Sequence, residues 1–391
     1  FYTLGPDGEI WSPGQFPYEY FTTFLESFGH VTIVGRGARY IPDIRHYNKS
    51  SGPNLSFELL PDMNSPQGLM LYGKRNSVRI SKLVAQVDAV IVRSSCDLSW
   101  VAYRHAKRLR KPVAMEMAAC AWDATWNHGS LLAKAYAPVR HMHDRLIAAD
   151  ADSVIYVSKE FLQRRYPAKG KTAVASNVRI QRPREDILDR RLGKISADLS
   201  GRPLVIGLIG TLANKLKGVH TALDALWKIS RAGNAPPFVF RVLGSGDMTP
   251  YVRHAKRNGL EDFVFFDGLI PSGAGVLEWL DEIDIYIQPS FQEGVPRATI
   301  EAMSRACPAI GSTTGGIPEL LPDSWLHKPG DINALAQLLA RMMTDPKARE
   351  EAAMKNFALS FDYSAEKLVP VRRAFWSDFA ALAEERKAGS D

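Results

Sequence analysis

The sequence lacks the patterns that mark several classes of protein. Among its 391 residues are only three cysteines, Cys96, Cys120 and Cys307, and none has C-x-x-C spacing. Each lies in or beside an apolar segment, so we expect small buried hydrophobes in a reducing, cytoplasmic compartment. No His/Cys cluster has the spacing of zinc ligands, and we therefore predict no structural metal.

Long apolar runs and targeting segments are also missing. No run approaches the roughly 18 residues that a membrane helix needs, and there is no signal-peptide pattern. Because the first residue is Phe1 rather than methionine, the sequence leaves open whether a further strand precedes it. A G-x-G-x-x-G fingerprint with its partner acid is absent, which disfavours a dinucleotide-dependent oxidoreductase.

The basic charge is concentrated in one half of the chain. The net charge is +7, yet residues 1–190 carry +8 and residues 191–391 carry −1. This asymmetry predicts an anionic partner for the first half, such as an acidic lipid surface or a phosphorylated acceptor. The charge alone leaves open an ordinary solvated face, or a non-catalytic protein that binds lipid or nucleic acid.

Short apolar strands alternate with helical segments along the chain. Predicted strands in the first half lie at residues 30–35, 55–60, 89–92, 113–117, 154–157 and 172–175. Those in the second half lie at 204–209, 238–243, 263–266, 283–287 and 309–311. The alternation favours mostly parallel sheets covered on both faces. We predict an α/β protein with Rossmann-like domains at 1–190 and 191–360 and a C-terminal helical segment at 361–391.

The stretch from residue 285 to residue 321 contains the strongest chemical signals. A buried strand is followed by Gly294 and Pro296, and Pro296 suits the first position of a helix, where its missing N–H would be unpaired anyway. The N–H groups of Gly294 and Val295 would therefore lie at a helix N-terminus. Such an end is a ready site for the phosphates of a nucleotide.

Two carboxylates bracket this anion site. Glu293 lies on the loop before the helix and Glu301 on its second turn. A carboxylate can accept hydrogen bonds from two vicinal hydroxyls, which a sugar or a ribose presents. Two glutamates at this spacing could also lie on a solvated helix face. Together with the strand, the glycine and the proline, they instead predict a site for a nucleotide sugar.

The segment QEGVPRATIEAM, with Glu293-x7-Glu301, resembles the donor-site motif of the retaining glycosyltransferases of family four. Residues 315–321 resemble the glycine–glycine–x–Pro–Glu segment of that family, and GHVT at 29–32 is similar to its opening. The resemblance implies a GT-B fold, in which two doubly wound Rossmann-like domains face a cleft and the C-terminal helix crosses back onto the first domain. It also implies transfer of a hexose with retention of configuration, without a cofactor or metal.

The same resemblance assigns roles on the donor side. Lys217 matches the lysine that binds the donor diphosphate, where it would offset the charge of the leaving group. Thr211 replaces the usual arginine, so Lys215 is the candidate for the missing cation. Glu301 would hold the ribose diol and Glu293 the sugar. The other donor-binding candidates lie on turns that follow strands: Gly210, Gly244, Gly246, Leu269, Gly294, Val295 and Pro296.

Polar side chains of the first half are candidates for the acceptor side. Glu116 ends a predicted strand, and Asp123, Trp126 and Asn127 follow it, at the edge where open α/β sheets bind ligands. A tryptophan is also a stacking surface for a sugar ring. By resemblance, His128 matches the histidine near the donor sugar, which makes it a catalytic candidate with Glu293 and Lys217.

Two further acceptor-side candidates come from other strands of the first half. Arg93, at the end of its predicted strand, would face a phosphate in the cleft. Gly14 lies in the loop where the family has paired glycines, so the resemblance includes it in the site.

These observations predict a glycosyltransferase of bacterial-type polysaccharide, lipopolysaccharide or glycolipid assembly, with a glycan or lipid-linked acceptor. We expect a cytoplasmic enzyme that docks on the anionic inner face of a membrane, and no nucleic acid partner. The docking residues would be 104–111 with Arg164, Arg165, Lys169 and Lys171. A polyanion-binding protein and an oxidoreductase remain the alternatives, and the donor base, the sugar and the acceptor are not specified.

Overall fold

The computed structural model contains two sets of strands and helices on either side of a cleft. It describes residues 2–12, 16–37, 40, 44–45, 47–178, 180–197, 202–233, 235–270 and 273–389. The first domain contains strands β1–β9, and the second contains β10–β15.

The first domain is built from short strands and the helices between them. Its strands are β1 (Thr3–Leu4), β2 (Ile10–Ser12), β3 (Val31–Arg36), β4 (Asn48–Lys49), β5 (Leu55–Leu60), β6 (Val90–Arg93), β7 (Val113–Met117), β8 (Ser153–Tyr156) and β9 (Lys171–Val174). Its helices are α1 (Tyr18–Leu25), α2 (Pro66–Gln86), α3 (Asp97–Arg108), α4 (Ala121–Trp126), α5 (Leu131–Asp150) and α6 (Phe161–Arg165). Strands β6–β9 form a parallel sheet in chain order, and β3 pairs in parallel with β5. The short β1, β2 and β4 form an antiparallel sheet at the start of the chain.

The second domain is a parallel sheet whose strand order reverses in the middle. Its strands are β10 (Leu204–Ile209), β11 (Phe238–Leu243), β12 (Val264–Gly268), β13 (Ile285–Gln288), β14 (Ala309–Ser312) and β15 (Leu326–His327). The helices that follow α6 are α7 (Glu185–Ser196), α8 (Val219–Ala232), α9 (Thr249–Arg257), α10 (Ala274–Glu282), α11 (Arg297–Ser304), α12 (Ile332–Thr344), α13 (Pro346–Ser360) and α14 (Ala365–Ala388). The strand order is β12-β11-β10-β13-β14-β15. The chain therefore changes direction between β10 and β13, which is the position where doubly wound sheets bind ligands.

Helix α7 spans the boundary that the sequence suggested near residue 190. The Arg191 side chain is buried and donates to the carbonyls of Ile283, Leu280 and Arg305 in the second domain. Because a buried guanidinium requires such partners, α7 is held against the second domain.

Helix α14 returns to the first domain, as the sequence predicted. Phe24 of α1 and Trp376 of α14 pack with ring centroids 4.8 Å apart. Arg372 donates to Glu116 at the buried end of β7, and Lys171 pairs with Asp378 at 2.6 Å. The C-terminal helix thus joins the two domains through both apolar packing and charged contacts.

Several elements were not predicted from the sequence. The opening loop contains β1 and β2, and the segment after β7 contains the short helix α4. Helix α2 was not predicted, although its start signals are present: the Ser65 side chain accepts from the Gly68 N–H, and proline occupies the first turn.

Candidate active site

The cleft between the domains has a volume of about 1770 Å³. Its donor-side wall is formed by the carboxyl ends of β10 and β13, including Gly210, Gln288 and the loop before α11. Its other wall is formed by the ends of β6 and β7, including Arg93 and Glu116. The second-domain wall coincides with the reversal of strand order, so backbone groups from two diverging loops face the same space.

Glu293 is the centre of a buried polar cluster on the donor-side wall. Its Oε1 accepts hydrogen bonds from Lys217 Nζ at 2.7 Å, Ser290 Oγ at 2.7 Å and Gln288 Nε2 at 3.1 Å. The residue is 6% exposed. Oε2 accepts no hydrogen bond from any residue that the structure describes, so it is available to a substrate hydroxyl. Lys217 offsets the buried charge, which would otherwise be costly.

Lys217 enters the cleft because glycines make room for it. It lies on a short 3₁₀ turn that ends at Gly218, whose φ is 72°. A Cβ at Gly218 would lie 2.0 Å from the Pro289 oxygen, and one at Gly210 would lie 2.6 Å from the Lys217 side chain. Lys215, on the same turn, is exposed and does not line the cleft.

The loop before α11 approaches the first domain closely. A Cβ at Gly294 would lie 2.2 Å from the Ala118 oxygen across the cleft. The Gly316 N–H donates to the Gly294 oxygen at 2.6 Å. The turn at Gly315 and Gly316, called here the second glycine turn, therefore supports this loop. Pro296 is the N-cap residue and Arg297 begins the helix. The helix therefore starts one residue later than the sequence suggested.

Glu301 lies on α11 and lines the cleft with the loop before it. It is 9% exposed, and its Oε1 accepts from Arg297 Nε at 2.8 Å. A second oxygen remains for a ligand, because the pair with Arg297 uses one of the two.

The remaining donor-side candidates differ in what they can offer a ligand. A Cβ at Gly244 would lie 1.9 Å from the Gly210 oxygen, and one at Gly246 would lie 2.4 Å from the Ala213 nitrogen. These glycines therefore permit two turns to pack together. Thr211 donates to the Ser245 oxygen at 3.2 Å. Leu269 is exposed at the rim of the cleft.

The first-domain wall contains a buried network of charged groups. Arg93 donates to Glu116 and, at 2.6 Å, to the Tyr20 hydroxyl, while Arg372 of α14 donates to the other oxygen of Glu116. Burial alone would raise the pKa of Glu116, but the charges of Arg93 and Arg372 lower it to about 2. Glu116 is thus ionised at neutral pH and holds Arg93 at the cleft. Because two arginines pair with one carboxylate, the network has a net positive charge.

The other acceptor-side candidates do not come together in the cleft. Asp123 pairs with Arg165 at 2.8 Å, and Trp126 stacks on Trp122 with centroids 5.2 Å apart. His128 is exposed on the turn after α4. None of Asp123, Trp126 and His128 lines the cleft. A short helix, α4, follows β7 at this point, and the assignment of these residues to the acceptor side stays a prediction.

Asn127 makes a contact that the sequence did not reveal. Its Nδ2 donates at 2.8 Å to the Phe291 oxygen in the second domain. The Phe291 N–H in turn donates to the Leu216 oxygen at 2.8 Å. Asn127 therefore links the first domain to the loop that carries Glu293. Gly14 lies outside the described residues.

Sequence reasoning also missed contacts from the second glycine turn. The Glu319 carboxylate accepts from the backbone N–H groups of Lys159, Glu160 and Phe161 in the first domain, at 2.5, 3.1 and 2.9 Å. Asn177 lines the cleft as well. Glu319 was visible as part of the glycine–glycine–x–Pro–Glu segment, but nothing in that segment indicates a partner in the other domain.

Comparison with known proteins gives a consistent set of matches. Residues 203–345 match the family described as Glycosyl transferases group 1. Protein CapJ of Staphylococcus aureus is 27% identical over 371 residues, which cover 94% of this chain and 88% of CapJ. The amylovoran biosynthesis glycosyltransferase AmsK of Erwinia amylovora is 34% identical over 155 residues, 37% of each chain.

A solved structure has the same architecture. HepE of Anabaena, in complex with UDP-glucose, has a TM-score of 0.60 and 17% identity, over 96% of this chain and 97% of HepE. The predicted GT-B fold is therefore confirmed. Among the described residues, no helix has the length and apolarity that a membrane span requires.

Proposed function

We propose that this chain, which is similar to group 1 glycosyltransferases, transfers a hexose from a nucleotide-diphosphate sugar to a glycan or lipid-linked acceptor with retention. The observation that carries the proposal is the buried pair of Lys217 and Glu293, 2.7 Å apart at the reversal of strand order. It combines a cation for a diphosphate with a carboxylate that has one free oxygen for a sugar hydroxyl. UDP-glucose in HepE supports a nucleotide sugar as donor.

The proposed donor occupies the second-domain wall. The diphosphate contacts Lys217 and the N–H groups of Gly294 and Val295, and the ribose diol contacts Glu301. As the bond from the sugar to the diphosphate breaks, negative charge grows on the leaving oxygen. Lys217 and the N-terminal end of α11 stabilise that charge without needing to reorganise. For this reason we expect turnover to continue in the presence of a chelator.

The acceptor approaches from the first-domain wall. We propose a front-face transfer, in which the acceptor oxygen forms its bond on the side from which the diphosphate leaves and loses its proton to the departing group. Glu293 positions the sugar, and Arg93 attracts an acceptor that carries a phosphate. The name of AmsK supports a place in polysaccharide assembly. In this proposal the enzyme is cytoplasmic and contacts the inner face of a membrane.

A panel of UDP, GDP and ADP sugars tests the proposal. We expect one nucleotide class to raise the melting temperature of the protein, and its sugar to be released slowly by hydrolysis without acceptor. NMR of the released or transferred sugar then reports whether the anomeric configuration is kept. Failure of all three classes to bind would contradict a nucleotide-sugar donor, and inversion would contradict the front-face transfer.

A further inference from the structure

A sharp turn connects β6 to α3 on the acceptor wall. Three residues, Ser94, Ser95 and Cys96, separate the end of the strand from the start of the helix, and all three line the cleft. Ser95 has a φ of 61°, in the left-handed region that a residue with a Cβ seldom adopts. Such a conformation persists only when the surrounding structure holds it in place.

Two charged side chains of α5 hold Ser95 from both sides. The Ser95 N–H donates to Asp144 Oδ2 at 2.8 Å, and the Ser95 oxygen accepts from Arg140 Nη2. Arg140 and Asp144 are four positions apart, so they lie on the same face of the helix. Asp144 is 3% exposed and the Arg140 side chain is 11% exposed. Both lie behind the wall and neither lines the cleft. We call these two residues the α5 clamp.

The charges of the α5 clamp are costly to bury. Arg140 is shared between two acids, because its Nε also lies 3.8 Å from Asp97 Oδ1. Burial raises the pKa of Asp144 to about 7, although the Ser95 N–H and the charge of Arg140 both favour the ionised form. Apolar side chains of similar size would fill this space at a lower cost. They could not, however, bond both the N–H and the carbonyl of Ser95.

The turn is coupled to the loop that follows β7. Ser94 Oγ accepts from the Ala118 N–H at 2.9 Å and from the Ala119 N–H at 3.0 Å. The Ala118 oxygen is in turn the atom that a Cβ at Gly294 would meet at 2.2 Å. A shift of the turn would therefore move Arg93, which precedes it, and Ala118, which faces the donor-side loop.

We propose that Arg140 and Asp144 are positioning residues for the transfer reaction: by holding Ser95 in its left-handed conformation, they fix Arg93 and Ala118 at the cleft. The inference rests on the proposed function, because it makes the acceptor wall responsible for orienting the group that attacks the sugar. That group is a hydroxyl of the acceptor or, without an acceptor, a water molecule. The α5 clamp itself contacts neither substrate.

Amide hydrogen exchange without any ligand tests whether the α5 clamp fixes the turn. The reporters are the amides of Ala118 and Ala119, because they bond to Ser94 and not to the clamp. In Asp144→Ala they should exchange at least about tenfold faster. Asp144→Asn keeps an oxygen acceptor for the Ser95 N–H and should raise their exchange less than about threefold. Adding Ser95→Gly to Asp144→Ala should restore most of the protection, since glycine adopts a positive φ without support.

Hydrolysis of the donor tests the functional consequence. The probe is the member of the UDP, GDP and ADP sugar panel that raises the melting temperature most, assayed without acceptor. At about pH 8.5 Asp144 is ionised in the folded chain. Asp144→Ala should lower kcat at least about tenfold, because the wall no longer orients the attacking water, with less than about twofold change in the KM for the donor. Adding Ser95→Gly should recover most of kcat.

Ile147→Ala is the matched control. Ile147 lies on the same helix and is fully buried, so its truncation lowers the melting temperature while the α5 clamp is kept. The exchange of the Ala118 and Ala119 amides and the value of kcat should stay within about twofold of the wild type. Equal losses of kcat in Ile147→Ala and Asp144→Ala, or no recovery on adding Ser95→Gly, would show a merely structural role and overturn the proposal.

The two measurements also separate this proposal from the proposed function. If no sugar of the panel binds, the proposed function is contradicted, and amide exchange still decides whether the α5 clamp fixes the turn. If the chain hydrolyses its donor and Asp144→Ala changes neither exchange nor kcat, only the positioning role is overturned. Faster exchange with an unchanged kcat would overturn it as well.

Discussion

The two walls of the cleft are organised by different means. On the donor side, glycines let backbone loops approach each other, and the buried charge of Glu293 is matched by Lys217 from a neighbouring loop. On the acceptor side, a carboxylate at a strand end is held by two arginines, one of them from the C-terminal helix. The donor wall is thus a compact structure within one domain, whereas the acceptor wall depends on the return of α14. Variants of the acceptor wall should therefore mainly lose stability, and variants of the donor wall should mainly lose activity.

The largest effect is expected on the acceptor wall, in stability. Glu116→Ala leaves the guanidinium groups of Arg93 and Arg372 without their shared buried partner. Breaking such a pair costs about 3–5 kcal/mol in the free energy of unfolding, measured by chemical denaturation. Asp123→Ala is the matched control, because its pair with Arg165 is more exposed and should contribute about 1 kcal/mol or less. Similar losses in both variants would mean that the buried network has no special role in holding α14.

A comparably large effect is expected on the donor wall, in catalysis. Lys217→Ala should lower turnover roughly 10²–10³-fold, as for loss of one preorganised partner of the transition state. It should also lower the melting temperature, because the buried Glu293 carboxylate loses its cation. Lys215→Ala, on the same turn but outside the cleft, should change turnover by less than about threefold. Steady-state kinetics of both variants test the assignment. Equal losses of turnover in the two variants would show that the loop uses both cations. The assignment of the catalytic role to Lys217 alone would then be wrong.

Acid should weaken the acceptor wall. In the folded chain the pKa of Glu116 is lowered to about 2 from its usual 4.5. Its ion pairs therefore stabilise the protein fully above pH 4.5, and this contribution, on the order of 3 kcal/mol, is lost as the pH falls toward 2. Denaturation curves across this window should be steeper in pH for the wild type than for Glu116→Gln. Parallel curves would contradict the assignment.

The two glutamates of the donor wall should separate in their effects. Glu301→Ala should weaken donor affinity by about 1.5–3 kcal/mol, the value of a hydrogen bond to a charged group. Glu293→Ala should reduce turnover more than it reduces affinity for the free nucleoside diphosphate, since it is assigned to the sugar. Calorimetry with the diphosphate and with the intact nucleotide sugar distinguishes the two. An identical loss of diphosphate affinity in both variants would show that the roles are misassigned.

The same contrast explains what the sequence could predict. The central strands β10, β13 and β14 of the second domain are mostly apolar and buried on both faces. The strands predicted for this domain agree with the structure to within about two residues. The donor-side candidates from Glu293 to Glu301 lie within one stretch, so their spacing could be recognised. The acceptor network joins residues that are far apart: Arg372 and Glu116 are 256 positions from each other. No local pattern could reveal that contact.

Two errors have a simple physical origin. Helix α4 has only six residues, too few for a helical period to be visible, so the segment that contains Asp123 and Trp126 was not predicted as a helix. Helix α2 was missed because its first turns expose apolar residues instead of burying them. Helical periodicity is recognised when apolar residues point to the core, so a helix that exposes them is difficult to predict.

The smallest effect is expected at His128, and it sharpens the description of the acceptor wall. His128 is exposed and outside the cleft, so His128→Ala should change kcat/KM by no more than about twofold. The adjacent Asn127→Ala removes the hydrogen bond to the Phe291 oxygen. Such a bond contributes about 0.5–1.5 kcal/mol, so kcat/KM should fall by up to roughly tenfold. The two variants differ by one position in sequence and serve as controls for each other. If His128→Ala instead lost activity by about a hundredfold or more, the domains would have to close further during turnover than they do here, so that the turn after α4 reaches the donor sugar.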